Sequence, residues 1–429
     1  MSLAGILFFA AVLLLFALGA PLFVLFGAAS MYCLHFLEGN VLATIIGDMY
    51  QLVSNPVLVA IPLFTFAGYI LAESGMPGRL VRMNRALAGW LPGSLPWVTL
   101  LSCAVFTALT GASGVTIVAV GGLLLPALVK DGYSERFSLG MVTSSGSIGL
   151  LFPPSIPVIL YGVVARVEIE KIFLAGVLPG LLIIVVLALY GGYTAMAQKV
   201  PRGAFSLSEL LGAVRACLWE IPLPLFIVGG IYGGFATVTE VAAVTVAYAF
   251  VVEVCIYREI SWSHLGKICL ESGKMVGAIL VILSMALAFA KFVILHNIPD
   301  RIVEFMSGVI SEQLAFMNPK LAFLLLLNLL LLVVGCLMDI FSAIMVVVPL
   351  ILPIALTFGV DPLHLAIIFL VNLEIGYCTP PVGLNLFIAS FRFRKSMVSL
   401  YSATLPFLLL RIATLILITY WEPLSLAFK

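Results

Sequence analysis

Long apolar stretches separated by short polar connections run through the whole chain. A membrane-spanning helix needs about 20 apolar residues, because the hydrocarbon core of a bilayer is about 30 Å thick. The pattern therefore predicts an all-α polytopic membrane protein with roughly ten to twelve spans. The uninterrupted spans are predicted at Leu3–Gly19, Leu22–Leu37, Pro56–Ala72, Ile172–Ala197, Ile221–Ala236, Val241–Ile256, Met275–Leu295 and Val398–Trp421.

Other segments are amphipathic and are predicted to lie along the membrane interface. Met76–Trp90 carries three arginines at three-residue spacing with apolar residues between them, so one face of this helix is basic and the other apolar. Ile298–Gly308 opens with a similar sequence and is predicted to form a second arm of this kind. Ser261–Glu271 is predicted to be a further amphipathic helix, separate from the span that follows it.

One pattern of prolines and glycines occurs twice, first over Ser113 to Pro179 and again over Ile340 to Pro406, at a constant offset of 227 residues. Proline and glycine dictate backbone geometry, so a register kept at several such positions indicates a structural repeat. The matched positions are Pro126 and Pro353, Gly132 and Gly359, Gly149 and Gly376, Pro153-Pro154 and Pro380-Pro381, and Leu178-Pro179 and Leu405-Pro406.

Each copy is predicted to contain a helical hairpin followed by a span that is broken in its middle. Small residues between Thr110 and Gly114 allow a tight reversal at the first hairpin, although a single long span is the alternative there. Breaks at matching points of two halves are the best sequence pointer to a transporter's binding site. The hairpins pair Leu95–Leu109 with Val115–Val129 and Leu321–Leu337 with Phe341–Thr357, and the broken spans are Phe137–Ala165 and Leu363–Phe391.

The positive charges of the connections predict the orientation of these elements. With the N-terminus outside, fourteen Lys and Arg residues fall on the cytoplasmic side and five on the outer side, as the positive-inside rule requires. The first hairpin then enters the membrane from the cytoplasm and the second from outside. The fold is therefore predicted to be an inverted repeat with two re-entrant hairpins and two broken helices.

Composition agrees with a membrane protein and excludes several other classes. Hydrophobic residues make up 63% of the 429 residues and charged residues 10%, whereas about 25% of a soluble domain is charged. The formal net charge of +1 offers no basic surface for nucleic acid. Neither a GxxxxGK[ST] phosphate loop nor an HExxH zinc motif occurs, so ATP hydrolysis by that route is not indicated.

The breaks and hairpin tips are the predicted cation sites. A broken helix leaves carbonyl groups unpaired at the end of one half and N–H groups at the start of the other. Carbonyl groups suit Na⁺, and helix N-termini suit a carboxylate. Close helix packing is the alternative role for the glycines and serines involved. The first cation site is predicted from Thr110, Gly111, Ser113, Ser145, Ser147, Gly149 and Pro153, and the second from Gly335, Asp339, Ser342, Gly376, Thr379 and Pro380.

Polar side chains near the breaks are predicted to hold the substrate, with hydrogen bonding between helices as an equally good account of them. They are Ser144, Ser145, Asn372 and Asn385. Ionisable residues inside apolar stretches are further functional candidates, and Arg411 is a candidate counter-ion for Glu374. The remaining ionisable candidates are Asp339, Glu240 and Lys291, the last of which is also placed to extend its charge to a membrane interface.

Several of these motifs resemble the large membrane subunit of tripartite ATP-independent periplasmic (TRAP) transporters. They occur in order and cover nearly the whole chain. One of them, Thr237–Ala243, departs from the family's TPTEAAA pattern at Val238, where the family often has proline. The segments that carry the resemblance are Gly111–Thr116, Gly146–Pro157, Gly176–Gly180, Thr237–Ala243 and Thr379–Gly383.

The resemblance implies an elevator-type transporter of the bacterial inner membrane, with its N-terminus in the periplasm. It implies Na⁺-driven import of an organic acid such as a C4-dicarboxylate or sialic acid. Two partners are implied, a small four-span membrane subunit, expected here as a separate chain, and a periplasmic substrate-binding protein. In this arrangement residues 1–92 and 198–316 form a scaffold with two arm helices, and residues 93–197 and 317–429 form the moving transport domain.

Two other functions stay open on the sequence alone. The first is a self-sufficient Na⁺/anion symporter of the same architecture, and transport by this chain alone in liposomes would indicate it. The second is an intramembrane enzyme that uses the breaks as a catalytic cleft, and activity retained in detergent would indicate that. Ser113 and Ser155 lack a G-x-S-x-G context, which weakens the enzyme hypothesis.

Overall fold

The computed structural model describes residues 22–33, 56–91, 93–200, 206–313 and 317–429, together with a few single positions before residue 56. This described part consists of helices and connecting loops and contains no strand. The predicted span Leu3–Gly19, the turn at Ala20-Pro21 and the segment Glu38–Ser54 lie largely outside the described residues, as does the side chain of Lys291.

The helices follow the predicted order. Up to the end of the first repeat they are α1 (Leu22–Tyr32), α2 (Ala60–Glu73), α3 (Met76–Ala88), α4 (Ser94–Thr110), α5 (Ser113–Lys130), α6 (Glu135–Ser145), α7 (Ile156–Ala165) and α8 (Ile169–Ala197). The middle of the chain forms α9 (Leu207–Ala216), α10 (Pro222–Tyr232), α11 (Val238–Phe250), α12 (Trp262–Leu295) and α13 (Ile298–Gln313). The second repeat and the C-terminus form α14 (Pro319–Leu337), α15 (Ile340–Thr357), α16 (Pro362–Gly376), α17 (Leu384–Phe393), α18 (Met397–Tyr420) and α19 (Pro423–Leu426).

The described helices confirm an all-helical, multi-pass membrane protein. Eight of them are long and apolar enough to cross a membrane. A ninth span results when α6, the 3-10 turn after it and α7 are taken together as one span bent by 45°. At the second predicted break, α16 and α17 are two short apolar helices separated by residues 377–383.

One predicted boundary is wrong. The sequence predicts an amphipathic helix over Ser261–Glu271 and a separate span over Met275–Leu295, whereas α12 runs through both without interruption. The hydroxyl of Ser272, between the two segments, donates to the Cys269 carbonyl within the helix. The next residue is Gly273, and a glycine inside a helix costs only about 1 kcal/mol relative to alanine. The packing of α12 on α1, α2 and α15 therefore suffices to keep it continuous.

The sequence repeat is also a repeat of helix boundaries. Helices α5 and α15 begin and end at positions 227 residues apart, and so do the starts of α6 and α16. The matched Gly132 and Gly359 both adopt positive φ, at 104° and 72°, a backbone conformation that favours glycine after a helix. The peptide bonds Pro153-Pro154 and Pro380-Pro381 are both cis.

The two copies pack into each other. Helix α5 of the first hairpin packs against α17 of the second copy, and α15 of the second hairpin packs against α7 of the first copy. Within the hairpins, α4 and α5 lie along each other, whereas α14 packs mainly on α16. This exchange of partners brings both hairpin tips and both breaks into one region of the molecule.

Candidate translocation site

A cavity of about 480 Å³ lies where the hairpin tips meet the breaks. This volume lies within the range of about 300–1,000 Å³ that is typical of small-molecule sites. Among the lining residues that the structure describes, Glu73 is the only carboxylate and none is a lysine or arginine. The lining includes Gly111–Val115 from the first tip, Ile340 and Phe341 from the second, Leu150, Tyr377 and Leu384 from around the breaks, and Tyr69, Glu73 and Met275 from α2 and α12.

The first tip presents an uncapped helix N-terminus to this cavity. Gly111 closes α4 with φ of +65°, and its N–H donates to the Thr107 carbonyl at 2.8 Å. Helix α5 then begins at Ser113 without any side-chain cap. Ser113 is only 4% exposed and lines the cavity. Within the described chain, neither its hydroxyl nor the N–H groups of residues 113–115 have a hydrogen-bond partner. These donors can therefore receive an anion.

The second tip, in contrast, is capped by its own side chains. Asp339 Oδ1 accepts hydrogen bonds from the N–H groups of Phe341 and Ser342, each at 3.0 Å, and Oδ2 accepts from the Ser342 hydroxyl. The Tyr377 hydroxyl accepts from the Ile340 N–H at 2.7 Å. All three N–H groups at the start of α15 are thus bonded to protein atoms. Asp339 acts as an N-cap here, and its role as a Na⁺ ligand stays a prediction.

Each break is pressed against the first helix of its own hairpin at a matched glycine. A Cβ at Gly149 would lie 2.7 Å from the Ala108 backbone nitrogen. A Cβ at Gly376 would lie 2.5 Å from Gly335 Cα, and Gly335 is the repeat counterpart of Ala108. Because the obstruction is backbone in both cases, neither position has room for a side chain. Close packing is therefore one role of Gly149, Gly335 and Gly376.

The predicted pairing of Arg411 with Glu374 is confirmed. Arg411 Nη2 lies 3.0 Å from Glu374 Oε2, and both side chains are fully buried. Arg411 Nη1 donates to the Ser144 carbonyl at 3.1 Å and to the Ser147 hydroxyl at 3.3 Å. The Ser147 hydroxyl in turn lies 3.5 Å from the carbonyl of Glu374, its counterpart 227 residues later. One guanidinium therefore joins the two breaks at residues that the repeat relates.

The four predicted substrate ligands do not gather around one point. Asn372 donates to Asn328 Oδ1 at 2.7 Å and to the Ile368 carbonyl at 2.8 Å, so it links α16 to α14. Ser145 donates to Cys103 Sγ at 3.4 Å and to its own helix. Among the described residues, Ser144 Oγ and Asn385 Oδ1 are buried without a partner, and neither residue lines the cavity.

The remaining predicted cation ligands separate into two groups. Gly111 and Ser113 line the cavity. The Thr110 hydroxyl donates to the Phe106 carbonyl within α4, and the Thr379 hydroxyl, in the second break, donates back to the Ile375 carbonyl of α16. Pro153 and Pro380 open the cis peptide bonds of the two breaks. Their use as Na⁺ ligands stays a prediction.

Two site residues escape sequence reasoning. Tyr377 caps α15 and lines the cavity, and its position inside the second break is the signal that points to it. Thr107 donates to the Gly146 carbonyl at 2.8 Å and lies 2.7 Å from the Thr116 hydroxyl. It thereby ties both helices of the first hairpin to the first break. Thr107 stands in an apolar run and gives no comparable signal.

Glu240 has a structural role at the start of α11. It accepts hydrogen bonds from the Thr237 N–H at 2.8 Å and the Thr237 hydroxyl at 2.9 Å, and the Thr237 hydroxyl accepts from the Glu240 N–H. This reciprocal arrangement is a capping box. The Thr-Val-Thr-Glu segment therefore serves to begin a helix.

Comparison with known proteins agrees with this architecture. The sequence model described as "Tripartite ATP-independent periplasmic transporter, DctM component" matches residues 9–424. The chain is 36% identical over 380 residues to the C4-dicarboxylate TRAP transporter large permease protein DctM of Pseudomonas aeruginosa, covering 88% of this chain and 87% of that protein. It is 30% identical over 418 residues to the ectoine TRAP transporter large permease protein TeaC of Halomonas elongata, covering 97% and 96%.

A longer relative is the isethionate TRAP transporter permease protein DctMQ of Oleidesulfovibrio alaskensis, 35% identical over 374 residues. The alignment covers 86% of this chain and 58% of that relative's length. Among solved structures, the YdaH transporter of Alcanivorax borkumensis superimposes with a TM-score of 0.62 over 88% of this chain and 87% of that one. At 16% identity this match shows the fold alone. The chain belongs to the DctM family of TRAP transporter large permease subunits, and it is a transporter subunit and not an enzyme.

Proposed function

We propose that this chain is the translocating subunit of a Na⁺-coupled importer of an organic acid. The cavity between the hairpin tips carries the proposal, because it joins both repeats and presents free hydrogen-bond donors. The relatives named above for C4-dicarboxylate, ectoine and isethionate support small polar or anionic substrates. Sialic acid is a further candidate within this class.

The carboxylate of the substrate is placed at the start of α5. A helix N-terminus carries about half a positive charge, and the Ser113 hydroxyl adds a donor beside the three free N–H groups. A carboxylate can accept all of these hydrogen bonds. The remainder of the lining is mostly apolar, and hydrogen bonds are electrostatically stronger in such surroundings than in bulk water.

Na⁺ is proposed to bind at the tips and breaks through backbone carbonyls and hydroxyls. The tips and breaks offer backbone carbonyl and hydroxyl oxygen atoms, and ligands of this kind suit Na⁺. The first site draws on the tip Thr110–Ser113 with Ser145, Gly149 and Pro153 of the first break. The second draws on Gly335, Asp339 and Ser342 with the break at Gly376–Pro380.

Transport is proposed to follow an elevator mechanism. Residues 93–197 and 317–429 move as one domain against a scaffold of residues 1–92 and 198–316, and the arm helices α3 and α13 connect the two. In the predicted topology the C-terminal end of α2 lies on the cytoplasmic side, where Glu73 borders the cavity. The cavity accordingly corresponds to an inward-facing state of an inner-membrane protein with a periplasmic N-terminus.

The partners are proposed to be a small four-span membrane subunit and a periplasmic binding protein that delivers the acid. Liposomes that hold this chain with its small subunit, and binding protein outside, test the proposal through uptake of radiolabelled acids. We expect uptake only with both an inward Na⁺ gradient and the binding protein. Uptake without the binding protein would identify a self-sufficient symporter, and uptake without Na⁺ would refute sodium coupling.

A further inference from the structure

We propose that the Arg411 guanidinium is a resident cation at the first break and takes the place of one Na⁺ there. The proposal rests on the Na⁺-coupled function given above, because it concerns one of the positions at which a broken helix would otherwise bind the ion. It assigns Ser144, Ser147 and Glu374 to the arginine.

Three carbonyl groups at the end of α6 already have protein donors. The Thr143 carbonyl accepts from Cys378 Sγ at 3.8 Å, and the Gly146 carbonyl accepts from the Thr107 hydroxyl at 2.8 Å. The Ser144 carbonyl, between them, accepts from Arg411 at 3.1 Å. The C-terminal end of a helix carries about half a negative charge, which a cation at this point compensates. Here the cation is a side chain.

The groups around the guanidinium are the oxygen ligands that Na⁺ would take. Arg411 contacts the Ser144 carbonyl, the Ser147 hydroxyl and the Glu374 carboxylate. Within the described part of the chain, three further oxygen atoms, Glu374 Oε1, Ser144 Oγ and Asn385 Oδ1, are buried and have no hydrogen-bond partner. Ser144 and Glu374 both contact Arg411 through other atoms. Asn385 reaches the same sulfur atom as Arg411, because its amide nitrogen and Arg411 Nη1 both lie 3.9 Å from Cys378 Sγ. Guanidinium and Na⁺ each carry one positive charge, so either balances Glu374.

The repeat shows that this cation is an addition to one copy. The counterpart of Arg411, 227 residues earlier, is Ile184, which is apolar and 4% exposed. The counterpart of Glu374 is Ser147, and Arg411 binds both of them. One copy thus supplies the carboxylate and the guanidinium, and the other supplies neutral oxygen atoms.

Removing the guanidinium leaves a buried carboxylate inside a set of oxygen ligands. An unpaired buried charge is strongly unfavourable, so the folded protein should then require a cation at this point. We therefore expect Arg411→Ala to create a Na⁺ site that the natural chain lacks. A ligand that binds only the folded state stabilises it in proportion to the logarithm of its concentration above Kd, so the extra site shows as a steeper dependence of Tm on Na⁺.

The test measures thermal unfolding of the full chain with its small subunit in lipid nanodiscs. Na⁺ replaces choline at constant ionic strength, and Tm is followed for the natural chain and for Arg411→Ala, Arg411→Gln and Arg411→Lys. We expect both neutral variants to show a steeper rise of Tm with Na⁺ than the natural chain, and Arg411→Lys to match the natural chain. The double variant Arg411→Ala with Glu374→Gln removes the carboxylate and should lose the extra dependence.

Three results would overturn the proposal. The first is a Na⁺ dependence in both neutral variants no steeper than in the natural chain. The second is an extra dependence that persists in the double variant. The third is failure of both neutral variants to fold at high Na⁺ while Arg411→Lys folds, because Na⁺ then cannot replace the side chain. Uptake by the natural chain tests sodium coupling separately, so a failure of the proposed function is distinguishable from a failure here.

Discussion

The start of the first arm helix is held by a single arginine that pairs with three carboxylates. Arg79 Nε lies 2.6 Å from Glu220, Nη2 lies 3.1 Å from Glu253, and Nη1 pairs with Glu259. The guanidinium also lies over the Tyr257 ring, 4.1 Å from its centroid. Glu253 is fully buried and Glu220 is 7% exposed. This arginine therefore fixes α3 to the ends of α10, α11 and α12.

Replacing Arg79 by methionine tests how much this attachment contributes. Methionine keeps an apolar stem of similar length but removes the positive charge, which leaves Glu220 and Glu253 buried without their cation. Breaking a buried ion pair in this way costs about 3–5 kcal/mol. Arg82→Met is the matched control, because its pair with Glu209 has side chains 50% and 53% exposed. An exposed pair of this kind contributes little to stability, because water screens its charges.

The penalty should depend on pH in a defined direction. Burial raises the pKa of Glu220 above its ordinary value, and the nearby Arg79 opposes this rise. Removing Arg79 raises that pKa further. A raised folded-state pKa contributes stability below the unfolded pKa, which is lost as pH rises through the folded pKa. The Arg79→Met penalty should therefore be larger at neutral than at mildly acidic pH.

Denaturant unfolding in detergent micelles at both pH values measures these differences. Equal destabilisation by Arg79→Met and Arg82→Met would contradict the assignment of Arg79 as the buried attachment. A penalty that grows on acidification would contradict the role given to Glu220.

Three further changes probe the tips and the breaks. Asp339→Ala should destabilise the chain by about 1 kcal/mol through loss of the cap, and Asp339→Asn by much less, because asparagine also caps helices. Equal losses of stability for the two variants in thermal unfolding would refute the capping role. Gly376→Ala should lower the stability of the chain by about 1–3 kcal/mol, because the added Cβ meets backbone. The control is Gly273→Ala on α12, where a Cβ meets no described atom within 4 Å, and this change should be neutral or stabilising in the same assay. Ser113→Ala should weaken the apparent substrate affinity in Na⁺-driven uptake about tenfold at unchanged stability, and unchanged affinity would refute the carboxylate position.

The backbone of the site is predictable from the sequence because few other residues can replace proline or glycine where the backbone geometry requires them. The matched Gly149 and Gly376 mark the points where each break meets backbone, and the helix boundaries of α5 and α15 keep the predicted register. The pairing of Arg411 with Glu374 was also predictable, since buried opposite charges in one apolar region have few other partners.

The partners of neutral polar residues were not predictable. Asn372 lies in a helix that is buried all round, so periodicity does not indicate which side faces the cavity. Its partner Asn328 is 44 residues away, and only the packing of α14 on α16 brings the two together. The continuity of α12 is not predictable for a related reason. The polar residues between its two halves favour a helix end only weakly, and the packing of α12 on other helices overrides this preference.

The two repeats share a backbone plan, but their side chains make the site unequal. Asp339 fills the start of α15, whereas its counterpart Ala112 leaves the start of α5 free. A mechanism that passed the acid from one tip to the other would need a second free helix N-terminus, and α15 does not offer one. With a single anchor, the proposed mechanism needs the acid to stay on α5 while the proposed transport domain, which carries α5, moves. The inequality of the tips thus favours elevator motion over transfer between two fixed half-sites.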